Sequence, residues 1–84
     1  MERLTDLPNI GPKLAEDLEK TGVADPDRFR ELGAEEAFMR IRAQADPAAC
    51  LHKLEALAGA AAGVKKSLLP PERKAELKRW FKGL

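Results

Sequence analysis

The side chains best equipped for chemistry in this chain are its single thiol, Cys50, and its single imidazole, His52. They stand two positions apart, so on a helix they point roughly 200° away from each other and form no nucleophile–base dyad. One cysteine and one histidine also fall short of a disulfide or a zinc site. No HExxH, CxxC or Ser/His/Asp spacing is present, and neither a metal nor a cofactor is expected. Cys50 reads as a small core residue and His52 as a helix-surface residue. The carboxylates Glu16, Asp17, Glu19, Glu35 and Glu36 fall near helix starts or on polar faces and read as solvated surface. The expectation is a protein that is not an enzyme.

A sharper pattern lies in Leu7-Pro8-Asn9-Ile10-Gly11-Pro12-Lys13-Leu14-Ala15. An apolar residue, a tight bend and a Gly-Pro-Lys opening of a helix resemble a helix-hairpin-helix turn, with Asn9 where a DNA-binding hairpin usually carries a glycine. Gly11 permits close approach of backbone to a phosphate. The helix start offers free N–H groups and the positive end of the dipole. Lys13 adds a full charge in the first turn, where it opposes that dipole, so a ligand would explain its presence. Asn9, Gly11 and Lys13 are therefore candidate nucleic-acid contacts. The plainer reading is a turn that places Ile10 in the core, and both stay open.

Charge is uneven along the chain. Residues 1–46 hold seven Lys/Arg against eleven Asp/Glu, a net of −4, and residues 47–84 hold eight against three, a net of +5. The basic half includes Lys65, Lys66, Arg73, Lys74, Lys78, Arg79 and Lys82. Lys74, Lys78 and Lys82 recur at i, i+4, i+8, a stripe that could track a phosphate backbone. The plainer reading is a solvated face that complements the C-terminal end of the last helix. Trp80 and Phe81 fit a core stripe with Leu77 and Leu84 better than an exposed anchor.

The elements that must position these residues follow from composition and punctuation. The chain has 84 residues and a mass of 9.2 kDa, room for one domain over 1–84. Hydrophobics make up 44% and charged residues 35%, and the net charge of +1 excludes a polycation. Fourteen Ala and twelve Leu against six Val, Ile and Thr favour helices over strands. A first helix is expected from Pro12 to Lys20, ending at Gly22. Asp25-Pro26 opens a second to Leu32, ended by Gly33, and a third spans about Glu35 to Ala45. Asp46-Pro47 repeats the cap-then-proline signal and should open a fourth through Cys50, Leu54, Leu57 and Ala61. Pro70-Pro71 opens the last, to Lys82. The sum is an all-α compact bundle of about five helices. No apolar run approaches a membrane span, and the start has no apolar signal region. A single cysteine with no internal partner fits a reducing compartment, so a cytoplasmic protein is expected.

The order of these features is similar to a known family. Asn9-Ile10-Gly11-Pro12-Lys13, Gly22-Val23, Leu32-Gly33-Ala34, Ala37-Phe38, Leu54-Glu55-Ala56-Leu57, Gly59-Ala60, Gly63 and a last helix with Arg73 and Leu77 together resemble the TfoX (Sxy) C-terminal domain family. The resemblance covers about residues 4–81. It implies a helix-hairpin-helix/SAM-like bundle, a bacterial cytosolic setting and a non-enzymatic role in regulating competence. It supplies no ligand residues. Two functional readings follow. One is weak, sequence-independent contact with the DNA phosphate backbone. The other is a protein–protein interaction or dimerisation domain with no nucleic-acid contact.

Overall fold

The computed structural model describes residues 2–84. The chain opens with one 3₁₀ turn, Leu4–Asp6, whose Asp6 carboxylate accepts the Arg3 N–H at 2.7 Å. Four α-helices follow: α1 Pro12–Lys20, α2 Pro26–Gln44, α3 Leu51–Ala62 and α4 Pro71–Lys82, with a second 3₁₀ turn at Lys66–Leu68. No strand occurs among the described residues.

Helix α1 begins at Pro12, where a missing N–H costs nothing, and closes at Thr21-Gly22 with the Val23 N–H returning to the Leu18 carbonyl at 3.0 Å. Helix α2 begins behind Asp25, whose side chain accepts the Arg28 N–H at 2.9 Å. The helices expected over 26–32 and 35–45 share the span of α2, and Gly33 separates them where the sequence suggests. Its φ of 80° and ψ of 167° lie outside helical geometry, in a region that only glycine adopts readily, so two helical stretches meet at a kink there. Taken as one kinked element, α2 leaves four α-helices where about five were expected.

The fourth expected helix also starts later than its punctuation suggests. Asp46 caps a turn, not a helix: its carboxylate accepts the Ala48 N–H at 3.1 Å and its carbonyl the Ala49 N–H at 3.1 Å. Helix α3 then begins at Leu51 with Cys50 at its N-cap. Cys50 is exposed, contrary to the core position expected for it, and Ala49 takes the buried place beside it.

The core is one cluster. Leu18 of α1, Phe29, Phe38 and Ile41 of α2, Leu54 and Leu57 of α3, and Leu77 of α4 are all fully buried. Side chains of this size each contribute about 1.5–3 kcal/mol by leaving water. Helix α2 packs along α3, and α4 rests mainly on α3. Phe38 meets Trp80 and Phe81 edge-on at 6.1 and 5.9 Å, so the aromatic pair of α4 covers the core, as its stripe predicts. Leu84, the last member of that stripe, is half exposed.

Candidate functional site

Asn9 holds the turn before α1 in place. Its backbone is left-handed at φ 68°, a conformation asparagine tolerates better than other non-glycine residues. Its side chain points inward. Nδ2 donates to the carbonyls of Val64 at 3.0 Å and Ala56 at 3.3 Å, and Oδ1 accepts the Lys66 N–H at 3.0 Å. Both amide donors are thereby used. These bonds join the turn to the C-terminal end of α3 and to the loop behind it.

Gly11 is the exposed N-cap of α1, and a Cβ built on it would meet nothing within 4 Å. The first helical bond runs from the Ala15 N–H to the Gly11 carbonyl at 3.0 Å. The N–H groups of Lys13 and Leu14 precede it and have no acceptor in the helix.

Lys13 has a partner inside the protein. Its Nζ donates to Asp17 Oδ1 at 2.9 Å, while the side chain stays 72% exposed. Asp17 is fully buried, a correction to its reading as solvated surface. Its other oxygen accepts from Lys53 Nζ at 3.0 Å, and Lys53 also donates to Asp46 at 2.7 Å. Burial pushes the Asp17 carboxyl up, but the two ammonium groups outweigh it and hold Asp17 below the usual aspartate range. Burial likewise lowers Lys53, and its bonds to Asp46 and Asp17 more than reverse this. A lysine in a first turn opposes the dipole. Here the neighbouring buried carboxylate offsets that cost.

Glu35 is a second correction. It is half-buried and accepts both terminal nitrogens of Arg73, at 3.0 and 2.9 Å, which ties α4 to α2. The Arg73 hydrogen bond holds the Glu35 carboxyl below its ordinary range, against the opposing effect of burial. Arg73 also pairs with Glu76. His52 is exposed, as expected.

The lysine stripe lies on a different helix from Lys13. Lys78 and Lys82 are exposed and Lys74 is half-buried, all on α4, which makes no substantial contact with α1. The structure brings a different basic pair beside the turn. Because Asn9 binds the Val64 carbonyl and the Lys66 N–H, the exposed Lys65 and Lys66 flank Pro8 and Asn9. Together with Gly63, Val64, Ser67 and Leu68 they line an open groove of about 740 Å³. The sequence shows the Lys-Lys pair, but it carries no signal for a contact across 57 positions.

A small all-helical domain is thus built around a clamped turn that opens its first long helix. This architecture has relatives. The family model of the TfoX C-terminal domain matches residues 1–81, and the chain belongs to that family. It is 36% identical over 83 residues to Protein Sxy of Escherichia coli strain K12, a match that covers 99% of this chain and 39% of that protein. The chain therefore spans about two fifths of its curated relative. Two crystal structures from Listeria monocytogenes share the fold. A triclinic form has 38% identity and a TM-score of 0.94, covering 98% of this chain and 92% of its own. A tetragonal form has 39% identity and a TM-score of 0.91, covering 95% of this chain and 96% of its own.

Proposed function

We propose that the chain is a non-enzymatic regulatory module of the competence-regulator type, acting in the cytoplasm. In this reading it touches nucleic-acid phosphates without reading sequence, through a helix-hairpin-helix-like turn over residues 7–13. The observation that supports it is the Asn9 clamp, which sets Lys65 and Lys66 beside the turn that precedes α1. Asn9 then acts by positioning, Gly11 by leaving the backbone bare, and Lys13 by adding charge in the first turn of α1. Lys74, Lys78 and Lys82 form a separate basic face that would extend the contact along a strand.

Fluorescence anisotropy with labelled oligonucleotides tests this. Binding should fall with salt at a log–log slope of about −0.9 per neutralised phosphate on duplex and about −0.7 on single strands. Lys65→Glu with Lys66→Glu should weaken it more than Lys74→Glu with Lys78→Glu. The opposite order would move the contact to α4. No binding at low salt to either form would overturn the reading in favour of a protein-interaction domain.

A further inference from the structure

The groove beside the turn has two kinds of wall. Lys65 and Lys66 are exposed, take no part in any ion pair among the described residues, and have no carboxylate with them in the lining. The remaining lining is largely apolar, with Pro8, Val64 and Leu68. Leu68 is 68% exposed, the most exposed large hydrophobic side chain among the described residues. A ligand that suits the groove carries negative charge next to a flat apolar surface.

The backbone of the wall limits the choice further. The Val64 N–H is bonded to the Gly59 carbonyl, the Lys66 N–H to Asn9, the Leu68 N–H to the Lys65 carbonyl and the Leu69 N–H to the Lys66 carbonyl. The Val64 carbonyl is taken by Asn9 Nδ2. An extended peptide that docks by main-chain pairing needs a row of free donors and acceptors. This wall coils into the 3₁₀ turn Lys66–Leu68 and presents no extended row. A nucleotide needs none, since its phosphate takes charge and its base takes apolar contact.

We propose that this groove holds an unpaired nucleotide of a nucleic-acid strand, with phosphate on Lys65 and Lys66 and the base against Pro8, Val64 and Leu68. The inference rests on the nucleic-acid reading above and adds the substrate class: single strand over duplex. A paired base keeps its faces stacked inside the helix and leaves the Leu68 side chain in water. A splayed base covers it with its flat face, in the place that aromatic side chains fill in other single-strand sites.

The test compares a labelled single strand with a duplex of the same sequence on the whole domain, at low and physiological salt. The single strand should bind about fivefold tighter, the gain expected from covering a few tens of Å² of apolar surface. Leu68→Ser should erase that preference and leave duplex binding unchanged. Leu68→Trp should increase it, because an aromatic face stacks better than a leucine. Leu68 is too exposed for either change to disturb the core, and thermal melts of both variants provide the check. Unlabelled oligoglutamate of matched charge serves as a competitor and should displace the strand poorly. Equal affinity for the two forms, indifference to both Leu68 variants, or efficient displacement by oligoglutamate would each overturn the proposal. Salt-sensitive duplex binding without single-strand preference sinks this inference alone. Absence of binding to both forms sinks the nucleic-acid reading with it.

Discussion

Gly59 is the residue that makes room for Asn9. A Cβ at position 59 would stand 2.5 Å from Asn9 Nδ2, 2.8 Å from the Val64 carbonyl oxygen and 3.2 Å from the Lys66 Cα. Two of these three neighbours are backbone atoms, so no rotation of a flexible side chain relieves the contact. The bare backbone of α3 at this point lets the turn before α1 and the loop after α3 both close on the helix. A glycine fifty residues downstream thus decides whether the turn can be held at all.

Gly59→Ala should therefore destabilise the domain, even though alanine favours a helix. Overpacking of this kind costs about 1–3 kcal/mol and outweighs the roughly 1 kcal/mol of helix propensity gained. Urea denaturation followed by far-UV circular dichroism reads the difference. A variant more stable than the parent would show that the contact relaxes freely.

Asn9→Asp preserves size and removes the donors. A carboxylate would then face the Val64 and Ala56 carbonyls in place of the amide that bonds them. Leaving such groups unpaired costs about 1–3 kcal/mol. Asn9→Gly keeps the left-handed backbone and loses the same bonds, so it should be destabilising too. If Asn9→Gly matches the parent in urea, the clamp contributes only conformation.

The cluster around Asp17 gives a pH dependence with a definite sign. The Asp17 carboxyl is held below its ordinary range in the folded state, and Asp46 and Glu35 are shifted the same way. Their contribution is complete above the ordinary carboxyl range of about 4 and is lost as pH falls through the lower folded values. Melting temperature should thus drop below about pH 4, and Asp17→Asn should flatten that drop. Lys53→Met should be the more harmful change at neutral pH, by about 2 kcal/mol, since it strips a buried carboxylate of one of its two cations. Asp17→Asn leaves Lys13 free to reach water and Lys53 still bonded to Asp46. A Lys53→Met melt equal to the parent's would mean that Lys13 alone satisfies Asp17.

The helices were legible because their punctuation is local. Pro12 after Gly11, Pro26 after Asp25 and the apolar spacing of Leu77, Trp80 and Phe81 each report on their own neighbourhood, and the structure follows them. Asp46-Pro47 carried the same signal as Asp25-Pro26 and marked only a turn, because nothing in a dipeptide says how far the helix behind it is displaced. Asp17 and Glu35 looked like solvated carboxylates for a related reason. Their partners Lys53 and Arg73 lie 36 and 38 positions away, and only the packed fold brings them together. In the candidate site, Gly11 and Lys13 were visible from the helix opening. The groove was not, since the Lys65-Lys66 pair reaches the turn through a bond made by Asn9.

Beyond its packing on α3, two attachments hold α4 to α2, and they should differ in strength. Phe38 is fully buried and receives Trp80 and Phe81 on its edges, whereas Arg73 reaches Glu35 with both side chains about one-third exposed. Truncation of a buried phenylalanine costs about 3–5 kcal/mol. For a domain of this size that is a large share of a total expected at roughly 0.05–0.15 kcal/mol per residue. A partly exposed ion pair contributes about 1 kcal/mol or less and weakens as salt rises. Trp80 emission during urea unfolding reports on α4 directly, because it is the only tryptophan. Phe38→Ala should move the transition to much lower urea at every salt concentration, while Arg73→Gln should move it slightly and only at low salt. An Arg73→Gln shift as large as that of Phe38→Ala would mean that the ion pair, and not the aromatic contact, docks the last helix.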